Sequence, residues 1–107
     1  MKKNNIEKIL KKVVEYLTDG NYNLVYENDK NKRLSIAEIE TAIKEYNGTI
    51  SFPPNNAFDN FYDYNDESSN ENFIEFNLWF DNSESDLTLS ITIYETGEYS
   101  IEDIHVL

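Results

Sequence analysis

Apolar residues along the chain follow two different periods. From Ile6 to Leu17 they recur at helical spacing: Ile6, Ile9, Leu10, Val13, Val14 and Leu17 obey the i, i+3, i+4, i+7 rule and make one stripe. Lys8, Lys11, Lys12 and Glu15 lie off that stripe, so the pattern predicts an amphipathic helix over residues 5–18. Thr18-Asp19-Gly20-Asn21 stops it, with Gly20 free to take a positive φ. A basic amphipathic helix either lies on a membrane surface or packs its stripe on a sheet; the strand-rich second half of the chain makes the sheet the expected partner. Residues 21–33 show no period and read as irregular, with "YNLVY" as a short extended piece and "ENDKNK" as a polar turn.

The second helix has the clearer signals. Ser35 and Glu38 stand at capping-box spacing, and Leu34 and Ile39 are placed as a hydrophobic staple. Ile36, Ile39, Ile43 and Tyr46 supply its apolar stripe, and Asn47-Gly48 ends it, so it is expected over 35–47. The two prolines of "TISFPPNNAF" exclude helix and central strand and make a rigid connection.

Beyond that point the period becomes two. In "NFIEFNLWFD" Ile74, Phe76, Leu78 and Phe80 alternate with Phe73, Glu75, Asn77 and Trp79; in "DLTLSITIYE" Leu87, Leu89, Ile91 and Ile93 alternate with Thr88, Ser90, Thr92 and Tyr94. "DNSES" reads as a hairpin loop and "ETGE" as a tighter one, with Gly97 at its special position. In "YSIEDIHVL" Ile101 is on one phase while Ile104 and Val106 are on the other, which predicts a β-bulge near Glu102–Asp103. Residues 61–65 offer a further short strand. The expected architecture is α+β: one domain over residues 1–107, with two N-terminal helices packed on one face of a three- to four-stranded antiparallel meander. The opposite face then shows Glu75, Asn77, Trp79, Thr88, Ser90, Thr92 and Tyr94.

Charge sharpens this picture. The net charge of −12 is unevenly placed: residues 1–33 carry eight Lys/Arg against five Asp/Glu, a net +3, and the remainder carries only Lys44 against sixteen acids, a net −15. No Lys or Arg occurs between Thr49 and Leu107. Such a half repels phosphate backbones, which argues against ordinary nucleic-acid binding. A surface acidic merely for solubility mixes both signs more evenly. Cysteine is absent, which rules out disulfides and thiolate metal sites and is compatible with a reducing cytosol. Lys11, Lys12 and Glu15 interrupt any signal-peptide core, and no run of about 18 apolar residues exists, so a cytoplasmic location is expected.

Signals for catalysis and metal binding are thin. "DNFYDYNDESSNE", residues 59–71, holds five acids and three aromatics. Read as an EF-hand loop starting at Asp63, it places Ser68 where Gly is required and Ile74 where the bidentate Glu belongs. His105, the single histidine, lies near Asp103 in a terminal strand, where it is either a general base or a plain strand residue. Three scattered glycines cannot cradle a phosphate. No cofactor, metal or catalytic set is expected.

Exposed Trp and Tyr among acids suit a protein interface, with aromatic anchors inside an electrostatic rim. The residues expected to meet a basic partner are Asp59, Tyr62, Asp63, Tyr64, Asp66, Glu67, Glu71, Glu75, Trp79 and Tyr94. Alternatively, a further loop or a second copy of the chain covers the aromatics.

Two stretches, "RLSIAEIETAIKEYNGTISFPP" with "AFD" shortly after, and "DLTLSITIYETGEYSIEDIHVL", resemble a family of small uncharacterised bacterial proteins with a helical first half and a strand-rich second half. The resemblance spans residues 33–107 and rests on capping and strand positions. It implies kinship with immunity-type proteins, which act by tight docking onto basic toxins such as nucleases, without catalytic residues. The expected role is therefore neutralisation of a basic toxin partner, the free protein being a monomer or weak dimer. The alternative is a cone-shaped ligand-binding or enzymatic domain, with a pocket between helices and sheet that holds His105 and a nearby Asp. A third reading is a dimer that self-associates through its sheet face.

Overall fold

The computed structural model describes all 107 residues. The elements run α1 (Lys3–Thr18), α2 (Tyr22–Glu27), α3 (Ile36–Lys44), β1 (Ile50–Ser51), a 3-10 turn (Asn55–Asp59), β2 (Tyr62–Asp63), β3 (Glu71–Phe80), β4 (Ser83–Tyr94) and β5 (Tyr99–Val106). The fold is mixed: helices at the N-terminus and an antiparallel sheet of order β1-β3-β4-β5, with β2 paired to the same edge of β3 as β1. No helix is long and apolar enough to cross a membrane.

The period-2 reading of β3 and β4 sets their faces correctly. Ile74, Phe76, Leu78 and Phe80 are buried, as are Leu87, Leu89, Ile91 and Ile93. Antiparallel register stacks them in rows, Ile74–Ile91–Ile101 and Phe76–Leu89–Ile104. These rows and the stripes of α1 and α3 share one cluster of 21 buried residues, from Ile6 and Leu10 to Ile39 and Ile43. Phe58 of the 3-10 turn closes one end, its ring stacked 5.1 Å from that of Phe76.

The bulge is where the broken phase puts it. Ser90 pairs with Asp103 and Ile91 with Ile101, which leaves Glu102 as the extra residue and returns Ile104 to the core face. A second irregularity, not foreseen, lies between Asn77 and Trp79, opposite Ser85–Leu87. There Ser85 Oγ donates to the Leu78 carbonyl and accepts from Leu87 N–H, so the interrupted ladder keeps its hydrogen bonds.

Several expectations need correction. Three helices are present rather than two: residues 22–27, read as extended, form the short α2. A six-residue helix cannot nucleate alone; it persists because Val25 is fully buried and its carbonyl accepts a 2.7 Å hydrogen bond from the Tyr99 hydroxyl. Helix α3 spans Ile36–Lys44 and stops short of the expected end at residue 47; the ring of Tyr46, expected on its stripe, instead packs on Phe80 at 4.6 Å. The "DNSES" loop contracts to the two-residue turn Asp81-Asn82, both at positive φ (51° and 62°), which is type I′ geometry. The stretch before the prolines pairs only at the sheet edge, as the two-residue β1, in keeping with the exclusion of a central strand there.

Candidate functional site

The inward residues of the strands share one apolar cluster with the helix stripes, which leaves the alternate strand positions to form the second face of the sheet. Its side chains come from alternate positions of β3 and β4, from β5, and from β2, where Tyr62 pairs with Glu75. Tyr62 and Tyr64 are exposed, at 74% and 60%, with ring centroids 6.3 Å apart.

These tyrosines wall a cleft of about 510 Å³ lined also by Asn60, Glu75, Asn77, Glu84, Asp86, Thr88 and Leu107. Each carboxylate in it is held by a neutral donor. Tyr64 O–H and Ser90 O–H both donate to Glu75, the latter at 3.3 Å; Asn77 Nδ2 donates to Glu84 at 3.0 Å; and Tyr46 O–H donates to Asp86. Donation to a carboxylate favours the neutral phenol, so Tyr64 and Tyr46 ionise above the ordinary tyrosine range. None of the three acids has a Lys or Arg partner, since the Lys/Arg ion pairs are Lys30–Glu98, Arg33–Glu102 and Lys44–Glu40. The cleft is therefore concave, partly aromatic and uncompensated in charge.

Of the ten residues expected to meet a partner, Tyr62, Tyr64 and Glu75 converge here. Trp79 is on the same face nearer the β3–β4 turn, half-buried and paired with Glu84 across the strands. The remaining six are elsewhere. Asp59 faces α1, hydrogen-bonded to Glu7, whose carboxyl is held above the usual range by partial burial and by that contact. Asp63 turns to the core side, where both its oxygens accept from the buried Asn72 amide at 2.9 and 3.0 Å. Asp66 caps its own turn through Ser68 N–H and Oγ, which pulls its carboxyl below the usual range. Glu67 is exposed, and its carbonyl, with that of Ser69 at 2.9 Å, receives the Met1 ammonium. Glu71 and Tyr94 lie at the far end of the sheet, where Lys30 Nζ sits 4.2 Å above the Tyr94 ring. The acidic loop at 59–71 is thus tied into its own structure, and none of its acids lines the cleft, which it reaches through Asn60, Tyr62 and Tyr64.

Sequence reasoning missed Glu84 and Asp86 because it left Glu84 in the hairpin loop and Asp86, at the head of the strand segment, outside the alternation it counted. The two-residue turn and the irregularity opposite Asn77 carry them into the sheet instead. Glu75, Asn77, Trp79 and Thr88 were readable from the alternation.

Beside the cleft runs a polar line across β4 and β5. Ser90 Oγ is 3.1 Å from His105 Nε2, and His105 Nδ1 is 3.4 Å from Asp103 Oδ2. The order matches a Ser–His–Asp relay, but its surroundings oppose nucleophilic attack. Ser90 is 3% exposed and also donates to Glu75. It lies in the strand flanked on both sides, so the neighbouring N–H groups are engaged in ladders, and a carboxylate beside the hydroxyl repels a developing oxyanion. The space between helices and sheet is filled by the apolar cluster, so neither His105 nor Asp103 faces a cavity there; Asp103 borders a surface cleft of about 360 Å³ beside α3.

A family model described as "Domain of unknown function (DUF7668)" matches residues 14–107. No curated protein and no solved structure matches the chain.

Proposed function

This chain belongs to the domain-of-unknown-function family DUF7668, and we propose that it is an acidic docking module of the immunity type, neutralising a basic bacterial toxin domain by direct binding. The observation that carries the reading is the uncompensated sheet face: Glu75, Glu84 and Asp86 ring one cleft beside two exposed tyrosines, in a half of the chain without a single Lys or Arg. A basic surface approaching it is steered by the long-range field and then paired at close range. The tyrosines supply contact area at low entropic cost. Neutralisation is steric and electrostatic: an acidic protein seated over a cationic substrate groove, such as that of a nuclease, keeps anionic substrate out. It needs no catalytic residue and no cofactor, suits a cytoplasmic site of action, and leaves the free protein a monomer or weak dimer, since like-charged faces repel.

The test is capture of partners from a lysate of the source organism with the wild type and with the Glu84→Lys/Asp86→Lys double variant. A basic toxin domain that co-purifies at equal stoichiometry, is inhibited, and is lost with the double variant supports the reading. Capture that ignores the charge reversal, or the absence of any basic partner, overturns it.

A further inference from the structure

Resting on that docking reading, we infer that the partner's anchor is an arginine side chain, received in the cleft by Glu75 and Glu84 and walled by Tyr62 and Tyr64. Four features of the cleft select this occupant. Its volume of about 510 Å³ suits one long side chain or a small ligand rather than a helix or a strand. Its carboxylates are pre-oriented with acceptor capacity to spare. Tyr64 O–H and Ser90 O–H each occupy a different oxygen of Glu75, leaving one lone pair on each, and Asn77 occupies one oxygen of Glu84, leaving the other open. A planar guanidinium with five N–H donors satisfies several such acceptors at once, whereas a lysine ammonium presents three donors from a single point.

The third feature is aromatic. The rings of Tyr62 and Tyr64 lie 27° from parallel and stand largely in solvent. A purely solvated acidic surface does not require such walls, while a flat cation stacks on them. Exposed Leu107 at the cleft edge gives apolar cover to a methylene stem. Fourth, the cleft lacks a counter-charge: no Lys or Arg of the chain lies within ion-pair distance of Glu75, Glu84 or Asp86, and no base follows Lys44. A complementary charge is left for a partner to bring.

The experiment needs no partner. Blocked tripeptides Gly-X-Gly, with X as arginine, lysine or the neutral isostere citrulline, are titrated into isotope-labelled protein and followed by amide chemical shifts. The arginine peptide is expected to shift the amides of Tyr62, Tyr64, Glu75 and Thr88 saturably, with Kd of about 1 mM. The lysine peptide binds several-fold more weakly and the citrulline peptide does not saturate. Glu75→Gln, which keeps the shape, weakens the arginine peptide about tenfold; Tyr62→Ala, at a solvated ring, weakens it with an unchanged melting temperature. Equal binding of the citrulline or lysine peptide, or shifts gathered on α1, overturns the inference. The two readings fail separately. If toxin capture depends on Glu84 and Asp86 while the peptides do not discriminate, docking stands and the arginine anchor falls. If the arginine peptide binds the cleft and capture ignores it, the anchor site stands and the docking reading falls.

Discussion

Asp29 belongs, by composition, to a polar turn, yet it is only 2% exposed. One oxygen accepts from the N–H groups of Asn31 and Lys32 at 3.1 and 3.0 Å, and the other accepts from Ile101 N–H, 72 residues away, at 2.9 Å. It therefore ties the turn after α2 to β5, and Lys30 N–H adds a bond to the Tyr99 carbonyl at 2.8 Å. Burial of Tyr99, and after it the Asp29 charge, raise the Tyr99 phenol well above its ordinary range. Asp29→Ala strands three N–H donors, one of them in the sheet, and is expected to cost about 2–3 kcal/mol in urea unfolding; Asp29→Asn, retaining one acceptor oxygen, costs less. No local signal distinguishes this aspartate from its exposed neighbours, because its decisive partner arrives only when β5 is in place. Trp79 and Tyr94 teach the complementary point. Alternation placed both correctly off the core face, but it could not show that Tyr94 lies under Lys30.

Elements with a long or well-marked local pattern were legible. The α1 stripe buries Ile6, Leu10, Val13, Val14 and Leu17, and only Ile9 stays partly exposed. The Ser35–Glu38 capping box forms in both directions, at 3.1 and 2.9 Å. Donors from Ser35 hold the Glu38 carboxyl below its usual range. Its native pKa is thus lower than its unfolded one, so its contribution is complete above the unfolded value and is lost as pH falls through the native value. The stability gap between the wild type and Glu38→Ala, measured by thermal unfolding, is accordingly expected at neutral pH and to close on acidification. The β3–β4 turn is the opposite case: the polar run 81–85 fits several loop lengths, and pairing of Phe80 with Ser83 selects the tightest. Asn82, with φ of 62°, occupies a position that favours glycine. Asn82→Gly is expected to stabilise by about 0.5–1 kcal/mol in the same urea experiment. Helix α2 left no pattern because six residues give less than two turns of period.

At the scale of the whole molecule, the charge polarity read along the chain becomes a polarity of faces. The bases cluster in the helical half, while the cleft on the solvent face of the sheet keeps Glu75, Glu84 and Asp86 unpaired by Lys or Arg. Association with a basic protein is therefore expected to slow steeply as salt rises past about 0.1 M, where the screening length falls to about 10 Å. Stopped-flow measurement should show that reversing Glu84 and Asp86 flattens this dependence more than reversing Asp66 and Glu67, since the latter pair lies outside the cleft. Equal effects from both pairs count against the cleft as the docking surface. By itself the sequence determined the two long-range regularities, helical stripe and strand alternation, together with the bulge and the charge imbalance, because each is a periodic or additive property of neighbours along the chain. Tertiary structure alone decided the buried Asp29 strap, helix α2, the tight turn at Asp81-Asn82 and the convergence of Tyr62, Tyr64, Glu75, Glu84 and Asp86. Each depends on groups distant in sequence competing for the same hydrogen bonds and space, and that competition is settled only when the sheet closes on the helices.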